Sequence, residues 1–188
     1  MAAIPSPNLT PEQFLAFERS AQTKNEYQQG VVYAMSGASM RHVRLTRNLL
    51  SLFSQALDNN PCEPFGDDLR LWIEKSSVFT YPDILVICGK PATIDKELDT
   101  VTNPTLLLEV LNPSTEAYDR GKKFAHYQTI LSLKEYVLVS QDEPRVERYL
   151  RQSDDTWSLT IISELEGKVT FQSIDVIVPL TAIYKSVF

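Results

Sequence analysis

Apolar residues recur along the chain with two different periods, and each period predicts a different kind of element. Helical spacing runs from about 40 to 59 and again from about 118 to 131. A shorter helix begins at Thr10, because this threonine is followed by proline and, three residues later, by glutamine. Short apolar runs bounded by turn residues predict strands at about 31–35, 62–74, 78–88, 105–111, 136–140, 146–151, 157–163 and 169–171.

The first of the two long helices has an apolar stripe that is suited to face a core. The stripe is formed by Leu45, Leu49, Leu52, Phe53 and Ala56. Together with the order of the strands, this helix predicts an α/β fold in which helices flank a mixed β-sheet. The sequence contains no repeat, low-complexity tract or long linker, so residues 1–188 are predicted to form a single domain.

The composition is that of an ordinary globular protein, with 43% apolar and 22% charged residues among 188. No apolar run approaches the roughly 20 residues that span a bilayer. The N-terminus lacks the basic start and apolar segment of a signal peptide, so a cytoplasmic protein without membrane association is expected.

The two cysteines, Cys62 and Cys88, are expected to be reduced, because two are too few for a disulfide framework or a metal cluster.

One charged residue, Glu109, interrupts an otherwise apolar strand predicted over 105–111. An unpaired buried carboxylate is strongly unfavourable, so a metal ion, a lysine or an arginine should accompany it. Asp83 precedes a second apolar run, 84–87, and two carboxylates on neighbouring strands suit a divalent metal ion. Each residue also has a simpler interpretation: Glu109 as half of a structural ion pair, and Asp83 as part of a turn that Pro82 begins.

A lysine on the helix after Glu109 is predicted to point toward the same core. With Asp119 taken as zero and about 100° per residue, the apolar arc of this helix spans about 20° to 140°. Lys123 falls at about 40°, inside the arc, whereas Lys122 falls at about 300°, outside it. The alternative is a lysine whose stem packs while its ammonium reaches solvent. The apolar arc is formed by Phe124, Tyr127, Ile130 and Leu131.

These residues resemble the signature of a known nuclease superfamily. Tyr81-Pro82-Asp83 followed by Glu109 resembles the PD-(D/E)XK motif of restriction-endonuclease-like phosphodiesterases. In the plain motif the lysine follows the glutamate by two residues, where this chain has Leu111. A longer pattern over about 26–150 is similar to a bacterial restriction endonuclease family within that superfamily, whose members carry the lysine on the following helix, at the position of Lys123. The longer pattern comprises Glu26-Tyr27-x-x-Gly30, Leu108-Glu109-Val110-Leu111-x-Pro113-Ser114-Thr115, Asp119-Arg120-Gly121-x-Lys123-x-x-x-Tyr127 and Glu135-Tyr136.

The resemblance implies a restriction-endonuclease-like fold and a metal-dependent phosphodiester hydrolase, an endonuclease for which DNA is favoured over RNA as the substrate. It implies Mg²⁺ or Mn²⁺ held by Asp83 and Glu109, with the backbone carbonyl of Val110 as a third ligand. Lys123 would orient the attacking water or neutralise charge on the phosphate. Glu26 is a further catalytic candidate, as ligand of a second metal ion or as an orienting partner. Related folds often act on duplexes as dimers, so a homodimer stays an open expectation.

Several other polar residues have two interpretations each. Asp68 either joins the site or faces water at a strand start, and His42 either joins the site or is structural. Arginines at every third position of a predicted helix either contact substrate phosphate or lie on a solvated face. These arginines are Arg41, Arg44 and Arg47.

The net charge of −6 argues against tight unspecific binding of nucleic acid, because proteins that bind it so usually carry a basic patch. The alternative to a nuclease is a non-catalytic binding or assembly protein that retains the nuclease fold. In that case Asp83, Glu109 and Lys123 would form a buried ion network. The acidic charge favours this alternative, whereas the intact set of two acids and a lysine favours the nuclease.

Overall fold

The structure, a computed structural model, describes Ala2, Ala3 and residues 8–188. Strands account for most of its regular structure. In chain order the elements are β1 (Ala2–Ala3), α1 (Pro11–Ser20), β2 (Asn25–Gln28), β3 (Val31–Ala34), α2 (Met40–Ala56), β4 (Cys62–Gly66), β5 (Arg70–Ile73), a 3₁₀ turn (Glu74–Ser76), β6 (Val78–Thr80), β7 (Ile84–Cys88), β8 (Thr100–Val101), β9 (Leu106–Leu111), α3 (Glu116–Tyr118), a π-helical turn (Asp119–Lys123), α4 (Phe124–Tyr127), β10 (Glu135–Ser140), β11 (Val146–Arg151), β12 (Trp157–Ile162), β13 (Lys168–Phe171), β14 (Val176–Pro179) and α5 (Leu180–Ile183).

Within the described residues, the strands form two six-stranded sheets and a small hairpin. The first sheet has the order β1-β3-β2-β6-β5-β8, the second has the order β12-β11-β10-β9-β7-β4, and β13 pairs with β14. Strand β9 is parallel to β10, and β5 is parallel to β8, whereas the other pairs are antiparallel. The predicted α/β class with mixed pairing is confirmed, but the strands divide into two sheets where the sequence indicated one.

The second sheet arises because two predicted strands are each interrupted by a turn. The strand predicted over 62–74 divides into β4 and β5 at residues 67–69, and the strand predicted over 78–88 divides into β6 and β7 at residues 81–83. In both cases the two halves belong to different sheets. Pro82 has no N–H to donate to a ladder, so it ends the pairing of β6 and lets the chain cross to the other sheet.

Both faces of the sheet that contains β9 are buried, against different partners. One face packs on α2, α5 and the β13–β14 hairpin, and the opposite face packs on the other sheet and on the helical residues 116–127. Leu108 and Val110 belong to the first face. Leu107 belongs to the second, and Glu109 shares that face because side chains alternate along a strand. The charged residue therefore points between the two sheets.

Helices α1 and α2 begin where the sequence predicts. A capping box at Thr10 starts α1, and α2 buries Leu45, Leu49 and Phe53 as its predicted stripe requires. Ala56 is exposed, because α2 ends there rather than at residue 59. No helix in the described part of the chain is both long and apolar enough to cross a membrane.

The helix predicted over 118–131 is shorter and less regular than expected. It consists of α3, the π-helical turn and α4, and it ends at Tyr127. Tyr127 and Ile130 are buried as predicted. Leu131 was predicted to face the core but is 91% exposed, because it lies beyond the helix end, where helical phase no longer applies. The short elements β2, β8, β14 and α5 were not predicted.

The two cysteines are paired, so the prediction that they are reduced was wrong. Cys62 in β4 and Cys88 in β7 are directly opposite in the antiparallel register, and a disulfide joins them. The prediction rested on the number of cysteines alone. It did not use the pairing of these two strands, which brings together residues that are 26 positions apart.

An arginine clamp fastens α1 to the loop before β8 and makes part of the stability sensitive to acid. Arg19 donates hydrogen bonds to both carboxylate oxygens of Asp99, at 2.8 and 2.9 Å. These bonds hold the pKa of Asp99 at about 2, below its usual 3.8. Because the folded-state pKa is lowered, the stabilisation is complete above about pH 4 and is lost as the pH falls toward about 2.

We expect Asp99→Asn to lower the free energy of unfolding by about 1 kcal/mol at neutral pH, a small value because the pair is partly exposed to solvent. Denaturant unfolding at about pH 7 and about pH 3 measures the effect, and the difference between variant and native chain should shrink at the lower pH. A difference of the same size at both pH values would contradict the role of the ionised carboxylate.

Candidate active site

A narrow cleft lies where the two sheets meet the start of α2 and the helical residues 116–127. Its volume is about 130 Å³. Five acidic side chains, one lysine and one histidine line it, so negative charge is in excess. All four predicted site residues are among them. The seven charged or titratable side chains that line the cleft are Glu26, His42, Asp67, Asp83, Glu109, Asp119 and Lys123.

Glu109 is held in the cleft by two donors. It is 4% exposed, and its Oε1 accepts hydrogen bonds from the Tyr127 hydroxyl at 2.7 Å and from Lys123 Nζ at 2.8 Å. Burial raises the pKa of Glu109, and the Lys123 ammonium acts in the opposite direction. The carboxylates of Asp83 and Asp119 raise that pKa further. The strand and the two donors therefore fix this carboxylate in a strongly negative environment.

Lys123 is buried and Lys122 beside it is exposed, as the helical phase predicts. In addition to its contact with Glu109, its Nζ lies 3.7 Å from Glu26 Oε1 and 3.7 Å from Asp119 Oδ1. Desolvation alone would lower the pKa of Lys123, but the attraction of the three carboxylates outweighs it and holds the pKa well above its usual value. Lys123 therefore carries a positive charge inside the cleft, and its ammonium does not extend to solvent.

Glu26 enters the cleft from the other sheet, on β2. It is 2% exposed, and its Oε1 accepts a hydrogen bond from the Thr80 hydroxyl. Its Oε2 is buried without a hydrogen-bond partner among the described residues. Native proteins seldom leave such an oxygen unsatisfied, and a bound ion is one of the groups that satisfies it.

Asp83 lies in the crossing from β6 to β7 and turns toward the strand that carries Glu109. Its Oδ2 accepts a hydrogen bond from the backbone N–H of Val110 at 2.7 Å. Its Oδ1 lies 3.0 Å from Nε2 of His42, the histidine that the sequence left undecided. The turn interpretation of Asp83 agrees with the structure, since this turn directs the carboxylate into the cleft, and ligation of a metal ion by Asp83 stays a prediction. Metal ligation by the Val110 carbonyl stays a prediction.

Asp119 is a cleft residue that the sequence analysis did not assign. It is 4% exposed, its Oδ2 accepts a hydrogen bond from the Thr115 hydroxyl at 2.8 Å, and burial raises its pKa. Asp119 and Lys123 both belong to the π-helical turn, a distortion that occurs frequently at functional sites. The sequence feature that could have identified Asp119 is its place in the family pattern, four residues before Lys123.

Asp68 faces water, which was one of its two predicted interpretations. Its side chain is 92% exposed and pairs with Lys24 at 2.6 Å, whereas the preceding Asp67 lines the cleft. In the described part of the chain, none of the three stripe arginines lines the cleft. Arg41 pairs with Asp142 at 3.4 Å, and contact of the stripe with phosphate stays a prediction.

The donor set of the cleft fits a hard divalent cation. No three His, Cys, Asp or Glu side chains of the described residues are arranged to enclose a metal ion by themselves. Mg²⁺ does not need such a cage, because it is usually bound by one or two carboxylates together with waters and substrate phosphate. Asp83 and Glu109 can supply the carboxylates, and the unpartnered Glu26 Oε2 offers a further oxygen.

Removing the hydroxyl that supports Glu109 is expected to destabilise the protein. Tyr127 is fully buried, and Tyr127→Phe should lower the free energy of unfolding by about 1–3 kcal/mol, because the buried carboxylate loses a donor. Tyr27→Phe is the matched control, since that hydroxyl donates to the backbone carbonyl of Leu9 outside the cleft. Denaturant unfolding measures both variants. If Tyr127→Phe and Tyr27→Phe lower the free energy of unfolding equally, the Tyr127 hydroxyl has no special role in stabilising Glu109.

Mixed sheets flanked by helices assign the protein to the restriction-endonuclease-like fold class. A solved structure with the same fold is described as a "putative nuclease belonging to DUF820" from Anabaena variabilis ATCC 29413. The two chains superimpose with a TM-score of 0.76 over 96% of this chain and 99% of that chain. Their sequences are 17% identical, so this likeness concerns the fold alone.

The chain belongs to the Uma2 family, described as "Putative restriction endonuclease", whose family model matches residues 11–178. Two relatives come from Synechocystis sp. (strain ATCC 27184 / PCC 6803 / Kazusa). The uncharacterized protein sll1609 is 39% identical over 163 residues, 87% of this chain and 92% of that protein. The uncharacterized protein slr1290 is 35% identical over 183 residues, 97% of this chain and 95% of that protein. The resemblance seen in the sequence over about 26–150 is confirmed and extends further toward both ends.

Proposed function

We propose that the protein is a metal-dependent phosphodiester hydrolase, an endonuclease that acts on DNA. Asp83 and Glu109 are its ligands for Mg²⁺ or Mn²⁺, and Lys123 is its catalytic lysine. The observation that carries the proposal is the meeting of these three residues in one narrow cleft, although they come from a crossing, a strand and a helical turn. The description of the family supports the same class of reaction.

The side chains of the cleft have distinct parts in this reaction. When bound, the metal ion lowers the pKa of a coordinated water and neutralises charge on the scissile phosphate. Lys123, kept positive by its carboxylate neighbours, stabilises the negative charge that builds on the phosphate in the transition state. Glu109 contacts Lys123 directly, so it holds the lysine at a defined place beside the ligand set.

The charge of the cleft constrains how a nucleic acid binds. The chain has a net charge of −6, and the five acidic side chains of the cleft repel a phosphodiester. A divalent cation held by Asp83 and Glu109 would offset that repulsion. Substrate binding, as well as cleavage, is therefore expected to depend on the metal ion.

Cleavage of plasmid DNA, single-stranded DNA and single-stranded RNA tests the proposal, with Mg²⁺, Mn²⁺ or EDTA added in parallel. We expect nicked or linear DNA with either metal ion, none with EDTA, and slower cleavage of RNA. Equal cleavage with EDTA would contradict metal dependence, and faster cleavage of RNA would contradict the substrate.

A second candidate function is a non-catalytic binding or assembly protein with the nuclease fold. The 2.8 Å contact between Lys123 and Glu109 favours it, because this pair compensates the buried charges without a metal ion. A native chain that binds no Mn²⁺ and cleaves none of the three substrates would establish this candidate in place of the nuclease.

A further inference from the structure

His42 lies against the proposed metal ligand Asp83 in a defined geometry. Nε2 of His42 is 3.0 Å from Asp83 Oδ1, and the side chains of the two residues are only 15% and 16% exposed. An ionised carboxylate can only accept hydrogen bonds, so a hydrogen bond between His42 and an ionised Asp83 requires the proton on Nε2. Since the Val110 N–H donates to Oδ2, both oxygens of Asp83 are held, and each keeps a lone pair for a cation.

The position of His42 is itself fixed by the structure around it. Its backbone N–H donates to the side chain of Ser39, the N-cap of α2, at 3.1 Å. The Ser39 hydroxyl in turn donates to Oε1 of Gln141, whose Nε2 donates to the backbone carbonyl of Leu111 at 3.0 Å. This chain of bonds ties the start of α2 to the end of β9, two residues beyond Glu109. The histidine is therefore anchored to the same strand that carries the second proposed ligand.

The second ring nitrogen of His42, Nδ1, differs from Nε2 in its contacts. Nδ1 is buried and has no hydrogen-bond partner among the described residues. If the ring only filled space, an apolar side chain would serve better, because it would have no buried polar atom such as Nδ1 to leave unsatisfied. Among the described residues, the ring makes one polar contact, with Asp83, so this contact is what the imidazole contributes.

We propose that His42 is a positioning residue, which orients the Asp83 carboxylate for a divalent cation through its Nε2–H. This inference rests on the proposed function, because it assumes that Asp83 is a metal ligand. Hydrogen-bonded partners of ligating carboxylates fix the ligand orientation, and their loss typically weakens metal binding by about 10–100-fold. His42 would act through Asp83, its hydrogen-bond partner in the cleft.

Calorimetric titration of Mn²⁺ into the native chain and three variants tests this role. We expect His42→Ala to raise the Kd for Mn²⁺ by about 10–100-fold. His42→Gln should restore most of the affinity, to within about 10-fold of the native value, because its Nε2–H can donate from a similar position. His126→Gln is the matched control, since His126 is the other histidine of the chain and is not part of the cleft, and its Kd should equal the native one.

The outcomes separate this inference from the proposed function. A native chain that binds no Mn²⁺ would overturn the proposed function. Native binding with an unchanged Kd in His42→Ala would overturn the positioning role alone. His42→Gln binding as weakly as His42→Ala would also overturn it, because the imidazole would then be needed for more than its hydrogen bond.

A second measurement on the metal-free chain keeps the inference testable if His42→Ala does not fold. Nitrogen-15 NMR of the two histidine side chains identifies which ring nitrogen carries the proton, and the His42→Gln spectrum assigns the signals. We expect His42 to be protonated at Nε2. Protonation at Nδ1 alone would contradict the proposal, because Nε2 could not then donate to Asp83.

Discussion

Lys123→Met is expected to lower the free energy of unfolding by about 3–5 kcal/mol, the usual effect of removing one partner from a buried ion pair. Methionine preserves most of the volume, so the loss reports charge rather than packing. The ammonium compensates Glu109 at 2.8 Å and lies 3.7 Å from both Glu26 and Asp119. Without it, these buried carboxylates lose the ammonium that compensates their charge.

Lys122→Met is the matched control for this prediction. Lys122 precedes Lys123 directly but is exposed, and exposed substitutions usually change stability by less than about 0.5 kcal/mol. Urea unfolding followed by circular dichroism measures both variants. Similar losses in the two variants, or a loss below about 1 kcal/mol for Lys123→Met, would contradict the buried ion network.

Glu109→Gln is expected to slow metal-dependent cleavage of DNA by a factor of about 10³ or more. A bound metal ion contributes several kcal/mol to stabilising the transition state, and each 1.36 kcal/mol is a factor of about ten in rate. Glutamine keeps the shape of the side chain but removes the charge that is proposed to bind the cation and that pairs with Lys123. Initial rates with Mg²⁺ and with Mn²⁺ measure the effect.

Glu164→Gln is the control for Glu109→Gln, because Glu164 is exposed and lies outside the cleft. Its cleavage rate should match that of the native chain. Circular dichroism of Glu109→Gln at the assay temperature verifies that the variant is folded. A folded Glu109→Gln that cleaves at the native rate would show that Glu109 is structural and has no part in the reaction.

The core of the candidate site could be predicted from the sequence because its signals are local. A glutamate inside an apolar strand can be recognised within seven residues, and the helical phase of residues 119–131 separates Lys123 from Lys122. Both inferences need only the period of one element. The structure places both residues as those periods require.

The remainder of the site depends on contacts between distant parts of the chain, which no local period reports. His42 meets Asp83 only because α2 and the β6–β7 crossing converge. Asp119 lines the cleft from the π-helical turn, beside residues of both sheets that are distant from it in the sequence. The pairing of Cys62 with Cys88 follows from the register of β4 and β7 and was missed for the same reason.

The division into two sheets was also missed, although Gly66-Asp67-Asp68 and Pro82-Asp83 interrupt the apolar pattern of the two predicted strands. Turns at residues 67–69 and 81–83 carry the chain from one sheet to the other, and an interrupted pattern does not report which sheet each half joins. Pro82 was the signal that could have revealed the second crossing. That crossing places Asp83 beside β9, so the feature that the strand prediction overlooked is the one that brings the two proposed ligands together.

The central claim is that Asp83 and Glu109 hold one divalent cation in the cleft beside Lys123. Diffraction from crystals soaked in Mn²⁺, recorded at the manganese absorption edge, tests it most directly. The account predicts an anomalous peak about 2.0–2.3 Å from a carboxylate oxygen of each of the two residues, near the distance typical of Mg²⁺ and similar hard cations. A cleft without a peak in crystals that diffract well, or a peak bound to neither carboxylate, would contradict it.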